Sequence, residues 1–99
     1  MKYTVKHHPK AKIEISRLEK SYFKKLLKDY EKIEDYGIDY VWVEPLQEDL
    51  YEIKTGKIRS LFTYKEGQLV IVLLVFLKKT QKTPKKHIKQ ALTRLEEIK

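Results

Sequence analysis

No cysteine occurs among the 99 residues, which excludes disulfide staples, thiolate-held metal centres and the small secreted scaffolds that depend on them. Glycine and proline number three each, and no flexible linker, low-complexity stretch, internal repeat or phosphate-cradling glycine loop can be found. Long apolar runs are missing too. The longest, Leu69 to Leu77, has nine residues, whereas a membrane helix needs about 20. Met1 to Val5 alternate polar and apolar side chains instead of opening the apolar run of an export signal. The expected setting is therefore the cytoplasm, without a membrane partner. Also lacking are a metalloprotease motif, a nucleophile elbow and a pair of carboxylates placed for glycoside chemistry. His7 and His8 stand side by side with no acidic or cysteine partner at ligand spacing, so no metal site and no cofactor are expected.

Acidic residues are scarce in one half only. Residues 1–49 carry ten Lys/Arg and ten Asp/Glu, while residues 50–99 carry twelve against four, so the whole net charge of +8 belongs to the second half. A balanced half is an ordinary solvated surface; a half holding all the excess is a candidate footprint for phosphates. Hydrophobic residues make up 41% of the chain and charged residues 36%, with eleven aromatics, which is enough apolar material for a core and too much for a disordered tail. At this length the expectation is one domain spanning residues 1–99.

Periodicity predicts the elements. Tyr3 and Val5 on one side, with Lys2, Thr4 and Lys6 on the other, suit a short half-buried strand, and Pro9 suits the first position of a helix. Between Lys10 and Tyr36 the stripe Ile15, Leu18, Tyr22, Leu26, Tyr30, Ile33, widened by Phe23 and Leu27, predicts one amphipathic helix, or two with a bend near Ser21, stopped by Gly37. Tyr40 to Val43 has strand composition, but Pro45 follows closely, and the segment is expected to be an extended connection. Asp49 to Lys54, Ile58 to Tyr64 and Leu69 to Leu77 predict an antiparallel meander whose last strand, apolar on both faces, is central and covered twice. Thr83-Pro84 predicts an N-cap and first turn. Ile88, Ala91, Leu92, Leu95 and Ile98 then form the stripe of a final helix that packs on the sheet. The fold class is α+β.

Two groups of residues could carry chemistry. With an even hairpin loop around Thr55-Gly56, Ile53 is expected opposite Ile58 and Glu52 opposite Arg59, which puts Glu52, Lys54 and Arg59 on one face. An exposed Glu52–Arg59 ion pair alone would be worth under about 1 kcal/mol. The second group is Lys78, Lys79, Lys82, Lys85 and Lys86, which crowd a helix N-terminus where the helix dipole disfavours cations. A phosphate there would satisfy both the ammonium groups and the free backbone N–H groups. His87, in the first turn of that helix, is a candidate proton acceptor.

The runs Asp49-Leu50-Tyr51-Glu52-Ile53-Lys54 and Ile58-Arg59-Ser60-Leu61-Phe62-Thr63-Tyr64, followed by Phe76-Leu77-Lys78-Lys79-Thr80-Gln81-Lys82-Thr83-Pro84, resemble the phage-derived Gp49-like branch of the RelE/HigB toxins. The resemblance is strong over residues 49–99 and generic before them. It implies a RelE/ParE-like fold: an N-terminal strand and helical segment, an antiparallel meander and a C-terminal helix on the sheet. It also implies a toxin–antitoxin toxin that cleaves messenger RNA without a metal, often on the ribosome, restrained by a cognate antitoxin, commonly a helix-turn-helix protein. By position Lys54, Arg59 and Lys79 resemble the family's catalytic basic residues; Lys57, Lys78, Lys82, Lys85 and Lys86 are the expected RNA contacts. Where the family often has a C-terminal tyrosine or histidine, this chain has no tyrosine after Tyr64, and His87 is the nearest substitute. A gyrase-directed toxin of the ParE type shares the implied fold, and a non-catalytic RNA-binding module would account for the charge.

Overall fold

The computed structural model describes residues 3–99; Lys2, expected on the polar side of the first strand, falls outside them. The described elements run β1 (Thr4–His7), α1 (Pro9–Ser16), α2 (Lys20–Tyr36), a 3-10 turn (Ile38–Tyr40), β2 (Trp42–Gln47), β3 (Leu50–Thr55), β4 (Ile58–Lys65), β5 (Leu69–Leu77) and α3 (Lys85–Glu97). Pro9 opens α1, and His8 caps it by accepting the Lys10 N–H on Nδ1 at 3.0 Å. Arg17 to Glu19 separate the two helices close to the bend expected at Ser21. Gly37 ends α2 at φ 113, a conformation that costs a side-chain-bearing residue far more.

The five strands form one sheet in the order β1-β5-β4-β3-β2. All pairs are antiparallel except β1 with β5, where Thr4 to His7 run parallel to Leu69 to Val72. β5 is an interior strand between β1 and β4, while the middle position belongs to β4. Helices α1 and α2 cover one face, burying Ala11, Leu26, Tyr30 and Ile33 against Ile53, Ile58, Phe62, Val70 and Val72. Helix α3 covers the other, with Ala91 and Leu95 against Leu50, Leu61, Leu73 and Leu74. Each fully buried Leu, Ile, Val or Phe among them contributes roughly 1.5–3 kcal/mol. Of the helical stripe, Phe23 and Leu27 remain largely exposed, at 39% and 44%.

Three expectations need correction. Residues Trp42 to Gln47 form an edge strand, not a connection: Pro45 is tolerated because β2 has a neighbour on one side only, and the register slips between Pro45 and Gln47. The β3–β4 hairpin closes on Thr55 opposite Ile58, through a two-residue Gly56-Lys57 turn with Gly56 at φ 58. Every pair is thus shifted by two: Lys54, not Glu52, faces Arg59, and Ile53 faces Ser60. A shift of two preserves the faces, so Glu52, Lys54 and Arg59 do share one side. Thirdly, Pro84 rather than Thr83 is the N-cap of α3, which has no side-chain cap, because the Thr83 hydroxyl donates to Glu52 instead.

Beyond Val72, β5 outruns β1, and α1 and α3 complete its edge with side chains. Glu14 Oε1 accepts the Val75 N–H at 3.0 Å, and Arg94 Nη1 donates to the Leu73 carbonyl at 2.8 Å. The same two residues meet in a bidentate ion pair at 2.9 and 2.8 Å. Alongside it His8 Nε2 meets Glu97 Oε1 at 2.7 Å. These contacts lock α3 onto the N-terminal segment.

Candidate nucleic-acid interface

The face of the sheet that carries α3 ends in a row of side chains at one level. Register places Trp42 opposite Lys54, Lys54 opposite Arg59 and Arg59 opposite Phe76 across β2, β3, β4 and β5. His87 continues the row from α3, its ring stacked on Phe76 with centroids 4.1 Å apart and planes 24° apart.

Arg59 is 8% exposed. Its Nη1 donates to the carbonyls of Gly56 at 2.6 Å and Ile58 at 3.0 Å, which fixes the guanidinium beneath the loop that follows β5. Arg59, Phe76, Lys78, Lys79 and Lys82 line one cleft of about 10 Å³, barely the room of one water. Lys79 also faces the other way, into an open groove of about 540 Å³ that it shares with Arg17, Phe76, Lys86 and His87. Lys79 and Phe76 therefore stand between the arginine and the histidine.

The basic loop is tied down at both ends. Lys78 N–H donates to the Lys57 carbonyl at 2.7 Å, extending the β4–β5 ladder and setting the hairpin turn beside the loop. At the other end Thr83 Oγ1 donates to Glu52 Oε2 at 2.5 Å, and Glu52, 3% exposed, is thereby partnered. Between them Thr80 Oγ1 donates to the Lys82 carbonyl at 2.8 Å. Lys57, Lys79, Lys82, Lys85 and Lys86 are exposed, and Lys78 is partly so. No acidic residue occupies the first turn of α3, so its N-terminus adds its own positive potential.

Of the four expected catalytic residues, Arg59, Lys79 and His87 gather around Phe76. Lys54 lies beside Arg59, but its ammonium is engaged elsewhere: Nζ donates to Glu44 Oε1 at 2.7 Å and lies over the Trp42 ring, 5.7 Å from the centroid. The Lys54 ammonium holds the Glu44 carboxyl below the usual carboxylate range. Lys57 sits at the hairpin turn, and Lys85 lines neither cleft nor groove. Sequence reasoning missed Glu52 as the anchor of the loop, Phe76 as the stacking partner of His87, and Trp42. Once β2 is a strand, alternation alone puts Trp42 and Glu44 on the face of Lys54.

This arrangement of sheet and helices is the RelE toxin fold. An E. coli RelE toxin mutant in the free state superposes with a TM-score of 0.70 at 19% identity, covering 96% of this chain and 99% of that one. The archaeal RelE–RelB complex from Pyrococcus horikoshii matches with a TM-score of 0.66 at 20% identity over 79% of this chain and 97% of that one. The toxin–antitoxin complex RelBE2 from Mycobacterium tuberculosis matches with a TM-score of 0.67 at 16% identity, over 79% and 100%. No curated protein sequence matches the chain. The model of the phage-derived Gp49-like family matches residues 13–96, and the chain belongs to that family.

Proposed function

We propose that this protein is the toxin of a type II toxin–antitoxin pair, acting in the cytoplasm as a metal-independent endoribonuclease on messenger RNA, in association with the ribosome. The observation that carries this function is the meeting of Arg59 with Lys78, Lys79 and Lys82 around one cleft at an uncapped helix N-terminus, with His87 on the adjoining groove. Attack of a ribose 2′-hydroxyl on the neighbouring phosphate breaks the P–O5′ bond, releases the 5′-hydroxyl of the next nucleotide and leaves a 2′,3′-cyclic phosphate, with negative charge building on the phosphoryl oxygens in between. Lys79 and Lys82 hold the phosphate at the rim. Arg59, pre-oriented by two carbonyls in a poorly solvated position, stabilises the added charge from beneath at little reorganisation cost. His87, stacked on Phe76 and 3.4 Å from Gln90 through Nδ1, is the candidate for proton transfer. Lys54 supports Arg59 across the strand pair, and Lys57, Lys85 and Lys86 extend the contact along the RNA backbone.

The solved RelE–RelB complexes support the idea of an antitoxin partner. A net charge of +8 suits an acidic or amphipathic one. A helix-turn-helix protein encoded beside this chain would fill that role.

Inducing wild type, Arg59→Ala and His87→Ala at matched soluble expression, while mapping cleaved messenger ends, tests the proposal. Arg59→Ala is expected to lower cleavage by about 10²–10³, the cost of a lost charge-stabilising donor, with the fold retained. His87→Ala should match it if His87 moves a proton. Undiminished cleavage by folded Arg59→Ala overturns the assigned site. DNA damage without messenger cleavage would point to a gyrase target instead.

A further inference from the structure

Trp42 is the single tryptophan of the chain and is 67% exposed, on an edge strand where so large an apolar surface would ordinarily be covered or replaced by charge. Its cross-strand neighbour is Lys54, whose ammonium lies over the indole and is itself paired with Glu44. The indole thus meets a cation on its ring while most of its surface faces water. Glu44 and Lys54 neutralise one another at 2.7 Å, so this end of the row presents a flat aromatic surface of little net charge, in contrast to the cationic cleft further along. Two strand spacings separate Trp42 from Arg59, about 10 Å of backbone.

We infer that Trp42 is a base-stacking platform: it receives a nucleobase next to the phosphate held at Arg59 and Lys79, with Lys54 and Glu44 as its positioning residues. This rests on the RNA-cleaving function proposed above and adds the site that would orient the strand. A nucleobase stacked on an indole is tolerant of sequence, since every base has a π-face, and it fixes the direction in which the ribose and phosphate run past the cations. An RNA held only by lysines could slide; one anchored by a stacked base a fixed distance away presents a defined phosphate.

Because Trp42 is the only indole, its emission reports directly on the platform. The whole protein is titrated with a mixed-sequence single-stranded 2′-O-methyl RNA, which lacks the attacking hydroxyl, while tryptophan emission and the anisotropy of a 5′ label are followed together. An abasic oligonucleotide of equal length serves as the backbone-only probe. Emission should be quenched with the same midpoint as the anisotropy change, and the abasic probe should bind without comparable quenching. Trp42→Ala should weaken binding about 5- to 100-fold, as expected for one stacked base. Trp42→Phe should recover most of that loss, and neither change should alter the circular dichroism of so exposed a site. Binding of the 2′-O-methyl RNA with unchanged emission, and with Trp42→Ala as tight as wild type, overturns the platform and leaves the RNA-binding function standing. No anisotropy change with any RNA at low salt removes both.

Discussion

Replacing Arg94 by alanine should be among the most damaging single changes available away from the proposed site. The guanidinium makes two hydrogen bonds to Glu14 and one to the Leu73 carbonyl, and its side chain is only 10% exposed, against 25% for Glu14. Removing it leaves the Glu14 carboxylate holding the Val75 N–H alone among the bonds described above, and strips the Leu73 carbonyl of its guanidinium donor. Breaking a buried pair in this way costs about 3–5 kcal/mol, and the residual exposure of Glu14 puts the expected loss near the lower end. For a chain of this size each kcal/mol is worth about 4–8 °C in Tm, so Arg94→Ala should melt roughly 12–25 °C lower. Glu14→Ala should be of similar size, because it abandons Arg94 and the Val75 N–H together. The double variant should lose about 1.5–3 kcal/mol less than the sum, since two residues sharing hydrogen bonds couple strongly. Urea unfolding followed by circular dichroism, with Cm and m fitted for all four proteins, measures the cycle. Additivity within about 0.5 kcal/mol, or an Arg94→Ala loss below about 1 kcal/mol, would refute the idea that this pair closes the free edge of β5.

His7 packs against Tyr30 with ring centroids 5.1 Å apart, and its buried Nε2 has no hydrogen-bond partner among the described residues. Burial, with Lys12 adding to it and Glu34 opposing, lowers its pKa below 6.5, so stability should be full above about pH 6.5 and decline as pH falls through the folded value. Urea midpoints measured from pH 8 to pH 5 should show that decline in wild type and a shallower one in His7→Phe; identical slopes would contradict it. Thr83→Val keeps the shape of the loop but removes the donor to the buried Glu52 carboxylate. It should cost about 1–3 kcal/mol and increase hydrogen exchange over residues 79–83, and unchanged exchange there would mean that the bond does not hold the loop.

Elements with a strong local signal were legible in the sequence. The apolar run of β5, the glycine-marked turn at Gly56 and the stripe of α3 need no knowledge of distant residues. β2 was hidden because Pro45 argues against a strand unless one knows that the strand lies at an edge. The hairpin register was off by two since Thr55-Gly56-Lys57 accommodates more than one turn, yet the faces survived because the side-chain period is two. The lysines at 78–86 form one contiguous segment, and their grouping near Arg59 could be anticipated from β5 and α3 alone. The partners of Lys54 and Thr83 could not: Glu44 belongs to the unrecognised strand, and Glu52 meets Thr83 across 31 positions. Glu14 and Arg94, 80 positions apart, leave no periodic trace at all.

The parallel pairing of β1 with β5 also governs the order in which the molecule can be made. Strand β1 and helices α1 and α2 are synthesised first, but the other strands the helices cover follow later in the chain, and β1 joins β5 only when Leu69 to Val72 have emerged. Contacts between such distant segments are slow to form because the intervening chain must first be closed into a loop. The last fasteners, Glu14 to Arg94 and His8 to Glu97, require α3 itself. At about 5–20 residues per second a ribosome keeps the first half waiting for several seconds before its sheet exists. The nascent chain thus carries the amphipathic helices exposed while the Arg59 cleft is still unbuilt, giving a binding partner an interval in which to engage it.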